Sequence, residues 1–392
     1  MKLLLYLLYI FVFFMPIESL FGRIFESAGG ITPVTFLGYI IFILSIPYVF
    51  YNWRRLFKSE VPLVFTLMVL GTLPVFISEY GFTRQLWTLW QMSYLYTIII
   101  LIANNQKIRK KFVLTFIMGC VIAWSILLYQ YFSADIIFKH HAYFERATRL
   151  LGKDINIVGL SAAIAISYTL SLIKESKKIY YAIAGILAIV MSVLVIIITS
   201  SKGAMVAAGV ALGTFFIIEF RNRKIVSSLS KSIAIFVLVF ILVFFVADYF
   251  SDVLSAIQYR WTSVSNLTEL TSKRYDIFIH GLHLIPSNPF GVGYGNSQFL
   301  LGYISPIRAY EELDAHNTFL KIILESGWLG FFILIIFLKR TIKSALSECK
   351  KGHIWPIVGL AVLITGMMML SLDNKKVFWF VLAISNSRKR DN

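Results

Sequence analysis

The chain has 392 residues, 58% of them hydrophobic and only 15% charged, with a formal net charge of +17. That apolar fraction, gathered into long uncharged blocks, exceeds the ordinary globular range and excludes a soluble single-core domain. The basic excess does not describe a nucleic-acid surface, because it falls in alternate loops: "NWRRLFK", "NNQKIRKK", "KESKK", "RNRK", "KRTIKSALSECKK" and the terminal "SRKR". With the N-terminus inside, all of these are cytoplasmic, which is the positive-inside signature of membrane orientation.

In chain order, apolar runs predict spans near 3–20, 31–51, 61–78, 86–103, 112–132, 156–173, 179–199, 204–220, 233–249, 316–338, 354–372 and 377–387. A run such as "YYAIAGILAIVMSVLVIIIT" is long enough as helix to cross a ~30 Å hydrocarbon core. The expected fold is an all-α polytopic membrane protein of about 12 transmembrane helices, a single integral-membrane domain over 1–392. The first run resembles a signal-peptide core, but no small-residue cleavage site follows "FMPIES", so it is read as retained. The "DNKK" before the last run leaves its crossing open. Gly209 and Gly213, four apart, predict close helix packing in span 204–220. Cys120 falls in a span and Cys349 in a cytoplasmic loop, so they are not expected to pair.

Two loops are long, 133–155 and 250–315, and both fall outside the cytoplasm. Long connections in compact proteins are usually functional. The smaller, "SADIIFKHHAYFERATRLLGKDIN", carries His140, His141, Arg146 and Arg149. The larger contains a helical pattern with Ser272 as N-cap and Phe278, Gly281, Leu282 and Ile285 on one face. It is expected to lie as an amphipathic helix at the membrane surface. Gly291, Gly293 and Gly295 follow, without the Lys-Ser/Thr of a nucleotide loop, and predict a tight turn. Asp276, His280 and His283 share one helical face, but no acidic cluster accompanies them, so solvated polar residues explain them better than a metal site.

The stretch "DAHNTFLKIILESGWLG", 314–330, opens a span with polar residues at its mouth and charges in its body. Asp314 suits the N-cap position, which would put His316 and Asn317 in the first turn. The field of a helix N-terminus disfavours imidazolium and helps keep His316 neutral and able to accept a proton. Lys321 and Glu325, four apart, predict an internal pair that removes net charge from the span. Arg146, Arg149 and Arg274 lie on the same outer side, and Lys202, after "TSS", begins a span there. Arginine clamps phosphate bidentately and lysine serves as a point charge; snorkelling to lipid headgroups is the competing role for any one of them.

Together these residues resemble the bacterial O-antigen polymerase and O-antigen ligase superfamily of integral-membrane glycosyltransferases. "HNTFLKIILESGWLG" is similar to the family's His-Asn…Glu-x-Gly…Gly segment. "KRYDIFIHGLHLIPSNPFGVGYGNSQF" is similar to its Arg followed by P-x-G-x-G-x-G; "RLLGKDIN" and "TSSKGA" match more weakly. The resemblance implies a GT-C-like transferase of the bacterial inner membrane, active on the periplasmic side, without metal or other cofactor. It implies an undecaprenyl-pyrophosphate-linked glycan as donor, a glycan acceptor, no nucleic acid, and a polysaccharide chain-length regulator as partner. Carried over, His316 is the catalytic base or acceptor-orienting group and Arg274 binds pyrophosphate, with Arg146, Arg149, Lys202 and Asn317 helping to bind substrate. Related proteins commonly have Arg where this chain has Lys202, so the planar fork is lost there. A polymerase, extending the glycan on its carrier, is the expected reading. Transfer to lipid A-core by a ligase is the alternative. A secondary transporter and a non-catalytic scaffold are the readings of other classes; a transporter tends to place ionisable residues mid-membrane, whereas here they gather at the outer surface.

Overall fold

The computed structural model describes residues 2–27, 32–79, 81, 84–133, 155–176, 179–221, 258, 274–304 and 313–386. The regular structure in them is helical. In order the helices are α1 (Lys2–Ser27), α2 (Pro33–Tyr51), α3 (Trp53–Phe57), α4 (Val61–Thr72, continued as a 3-10 turn over Leu73–Phe76), α5 (Arg84–Ile102), α6 (Gln106–Ser133) and α7 (Ile155–Glu175). They continue as α8 (Ile179–Thr199), α9 (Lys202–Arg221), α10 (Arg274–Leu284), α11 (Ser297–Ile304), α12 (Thr318–Lys350), α13 (Trp355–Met369) and α14 (Lys376–Asn386).

Among the described residues, 6 helices are long and apolar enough to cross a membrane: α2, α6, α7, α8, α9 and α12. This makes the chain a multi-pass membrane protein, and it corrects the expectation of about 12 transmembrane helices. No loop of GT-C-like character is identified among the described residues, and the expected span 233–249 lies outside them. The reason is that an apolar run can bury against protein as well as against lipid. The 11-residue α14 is buried throughout from Val377 to Asn386, and at 1.5 Å per residue it covers about half of a hydrocarbon core. The 15-residue α13 is also short, and α4 gives way to its 3-10 turn at Leu73, ahead of Pro74. Pro16 and Glu18 interrupt the run in α1, and Gln85, Gln91, Ser93 and Thr97 dilute that in α5.

The chain divides into two compact units. The first takes residues 1–41, 107–263 and 347–365. Its centre is α7, buried continuously from Ile157 to Leu172 and packed along α8 and α9. The small residues of "GLSAAIAIS" permit this, since interfaces inside a membrane rely on close backbone approach rather than on a hydrophobic drive. A Cβ on Gly159 would lie 2.7 Å from the Cβ of Ala204, and one on Gly185 would lie 2.6 Å from Ile173. Gly209 and Gly213, expected at a tight contact, instead have nothing within 4 Å among the described residues. The basic loops of this unit are tied by ion pairs. Arg109 meets Glu348 at 3.3 Å, Lys110 meets Glu175 at 3.1 Å, and Lys174 pairs with Glu219. Cys120 and Cys349 are both free thiols.

The second unit takes residues 42–106, 264–346 and 366–392. In it α14 packs on α5, where Tyr96 meets Phe337 and Trp379 edge-on and accepts a 2.8 Å hydrogen bond from Asn386 Nδ2. A separate cluster joins α10, α11 and the first half of α12 through Leu284, Ile285, Val292, Leu300, Leu301, Ala315, Leu320, Ile323 and Leu324. The apolar face of α10 is Ile277, Phe278, Gly281 and Leu284, while Leu282, placed on that face from spacing, is exposed.

Candidate active site

The helix that carries the "HNTF" mouth is not continuous. At Gly327 the backbone of α12 leaves helical geometry, with φ 66° and ψ −170°. This region is essentially restricted to glycine. The break frees backbone groups that a buried segment must satisfy elsewhere. The glycine-rich stretch 288–297 supplies the partners. Val292 N donates to Leu324 O at 2.9 Å, Gly293 N to Glu325 O at 2.9 Å, and Trp328 N to Pro289 O at 3.1 Å. The approach is backbone on backbone: a Cβ at Gly291 would sit 2.5 Å from Glu325 C and O, and one at Gly327 would sit 2.4 Å from Pro289 O. The tight turn read from the glycines is thus a plug seated in a broken helix.

The two charges in α12 serve different partners. The expected Lys321–Glu325 pair gives way to Lys321 Nζ donating to Asp373 Oδ2 at 2.9 Å, with Gln85 Oε1 at 3.3 Å. Glu325 Oε1 accepts from Gly295 N at 3.0 Å and from Ser297 Oγ at 2.6 Å. Both side chains are buried. Lys321 therefore clamps the segment after α13, and Glu325 clamps the glycine loop.

At the mouth, the N-cap of α12 is Asn317 and not Asp314. Asn317 Oδ1 accepts from Leu320 N at 3.0 Å, and its backbone carbonyl takes the first helical bond, from Lys321 N at 2.9 Å. Its Nδ2 donates to Met368 O at 3.2 Å. His316 therefore stands before the helix rather than in its first turn, in the left-handed region at φ 48°. Its Nδ1 lies 3.3 Å from Asp314 Oδ2. Three side chains converge on consecutive carbonyls at the end of α13: Asn317 on Met368, Arg274 NH1 on Met369 at 3.0 Å, and Thr318 Oγ1 on Leu370 at 2.6 Å. Thr318 Oγ1 also accepts from Leu372 N at 3.0 Å. A guanidinium at a helix C-terminus is favoured by the carbonyl field there.

Of the residues singled out from sequence, the structure brings Arg274, His316 and Asn317 to this one place. Lys202 belongs to the first unit, where it opens α9 directly after Ser201, whose Oγ accepts from Ala204 N at 3.4 Å and donates to Asn156 Oδ1 at 3.1 Å. Ser200 before it has φ 46°. Each of the two motif helices, α9 and α12, thus follows a left-handed non-glycine residue and a capping polar residue. Arg146 and Arg149 lie outside the described residues, as does Ser272. Sequence reasoning missed Thr318, Asp373 and the carbonyls 368–370, because their partners are some fifty residues away and follow no local spacing. It placed Asp314 as a cap, although an Asp two residues before a His was visible.

A multi-pass helical membrane protein with a histidine and an arginine gathered at the polar mouth of a broken helix is the class that fold and site define. Residues 186–335 match the family model described as O-antigen ligase. The match spans both "TSSKGA" and the "HNTF" mouth, and it supports the resemblance to the O-antigen polymerase and O-antigen ligase superfamily over that part of the chain. No curated protein matches the chain.

Proposed function

We propose that this chain is a membrane glycosyltransferase that moves a glycan from an undecaprenyl-pyrophosphate carrier to lipid A-core on the periplasmic side, as an O-antigen ligase. The observation that carries this reading is the convergence of His316, Asn317 and Arg274 at one helix mouth inside the segment matched by the O-antigen ligase family. That match favours transfer to lipid A-core over the chain extension expected from sequence. A chain-length regulator belongs with the polymerase reading.

The chemistry asked of the site is modest. An acceptor hydroxyl oxygen attacks the anomeric carbon while its proton passes to His316. The bond from that carbon to the pyrophosphate oxygen breaks, and undecaprenyl pyrophosphate leaves with the electron pair. A positioned base of this kind contributes roughly 10²–10⁴-fold. The charge that develops on the leaving group needs cations aimed at it, a role for Arg274; Lys202, Arg146 and Arg149 stay substrate-binding candidates carried from the sequence. Asn317 acts as a positioning residue, since both ends of its amide are engaged by backbone.

Reconstitution of the purified protein with carrier-linked glycan and lipid A-core tests the reading. Glycan joined to lipid A-core, lost in His316→Ala and Arg274→Ala proteins that still insert and accumulate, is the expected result. Longer carrier-linked glycan without transfer to lipid A-core would instead establish a polymerase. Normal transfer by both variants would remove the mechanism.

A further inference from the structure

Asp314 and His316 flank Ala315, which is 2% exposed and packed into the cluster formed by α10, α11 and α12. Anchoring the middle residue sends its two neighbours to the same, opposite side of the segment. Leu313 N donates to Gln298 O at 3.1 Å and fixes the segment on its N-terminal side, while the Asn317 cap fixes it on the other. Between these two fixed points His316 is held at φ 48°, a conformation that is strained for a residue with a Cβ. Such strain persists only where the surroundings over-determine it. The result is an imidazole Nδ1 facing a carboxylate oxygen at 3.3 Å.

From this geometry we infer that Asp314 is a positioning residue for the reaction, accepting the Nδ1 proton of His316 and thereby presenting Nε2 as the atom that takes the acceptor proton. The inference rests on the proposed role of His316. A base held by a third group is the usual arrangement of acid–base catalysis, because the partner fixes both tautomer and ring direction and stabilises the imidazolium as it forms. No bond to Asp314 is made or broken: the proton gained at Nε2 is passed to water after the sugar has moved. Arg274, Lys321 and Asp373 also place charge around this mouth, and substitution of Asp314 leaves those groups unchanged.

The test is the pH dependence of transfer in proteoliposomes with native carrier-linked glycan and lipid A-core, comparing the parent protein with His316→Ala, Asp314→Ala and Asp314→Asn. Asp314→Ala is expected to lower kcat about tenfold or more with KM little changed, as a fraction of what the base itself contributes. Asp314→Asn keeps an acceptor oxygen and should recover part of that loss. Removing a carboxylate from beside a histidine disfavours the imidazolium, so in Asp314→Asn the acid limb of the kcat/KM profile should move to lower pH. Activity retained by His316→Ala overturns the proposed function, and this inference with it. An inactive His316→Ala beside Asp314 variants of unchanged kcat and profile overturns the inference alone. So does a loss in both Asp314 variants that appears in KM with the acid limb unmoved.

Discussion

Lys321 shows how far a buried charge reaches. It sits one turn below the Asn317 cap, and its ion pair with Asp373 holds the segment whose carbonyls receive Asn317, Arg274 and Thr318. Removing one partner of a buried pair leaves an uncompensated charge and costs roughly 3–5 kcal/mol, whereas replacing both by apolar groups is often close to neutral. Lys321→Met is therefore expected to lower the thermal unfolding midpoint of the detergent-solubilised protein sharply. Lys321→Met combined with Asp373→Leu should restore most of the loss. Equal midpoints for the parent and the single variant would show that the pair does not brace the site. The i,i+4 rule pointed to Glu325 as the partner because local spacing is all that a single helix displays; the true partner comes from a segment 52 residues on.

The broken helix α12 is the element on which the site depends. Its two clamps act on either side: Glu325 takes the glycine loop, and Lys321 takes the segment after α13. Gly327→Ala forces an L residue into the glycine-only region, at about 1–3 kcal/mol, and drives a methyl toward Pro289 O, 2.4 Å away. That oxygen is backbone and cannot swing aside, so the plug must shift. Stability and transfer are both expected to fall. Gly209→Ala supplies the contrast. It lies inside α9 with nothing within 4 Å of its Cβ position among the described residues, and replacing a helical glycine by alanine is worth about 0.5–1 kcal/mol in its favour. Unfolding midpoints that move in opposite directions for the two variants are the expected result. A Gly327→Ala protein as stable and active as the parent would mean that the break is not needed. From sequence the apolar run 316–338 was legible as one span, and the glycines as a turn. That the turn fits into the span was not, because nothing in the period of a run marks where its hydrogen bonds are taken over by another segment.

For the molecule as a whole, helix existence and multi-pass character were legible, and the number of crossings was not. All-helical structure follows from runs of apolar residues in which the turn signals are confined to loops. Hydropathy, however, weighs transfer out of water and is silent about whether lipid or protein receives the side chain. Both α14 and α8 read as apolar runs, yet α14 is buried in protein from Val377 to Asn386 and only α8 is long enough to cross.

Orientation is a separate matter from the number of crossings, since it depends on where lysine and arginine collect. Lys343, in the basic C-terminal part of α12, belongs to the side predicted as cytoplasmic, and α12 is one of the helices long enough to separate it from the mouth. Glu79 follows the short apolar helix Val61–Phe76, next to Ser78 and Gly81, whose side chain and carbonyl take Asn296 Nδ2 at 3.3 Å. Glu79 therefore marks the side of the glycine loop. Lys343 and Glu79 are both exposed, so single cysteines placed there, in a chain lacking Cys120 and Cys349, report on the two sides directly. A membrane-impermeant maleimide added to spheroplasts is expected to label Glu79→Cys at once, and Lys343→Cys only after permeabilisation. The reverse order would put the glycine loop and the mouth of α12 in the cytoplasm. An undecaprenyl-linked donor on the periplasmic face could not then reach His316, and the proposed reaction would have to be given up.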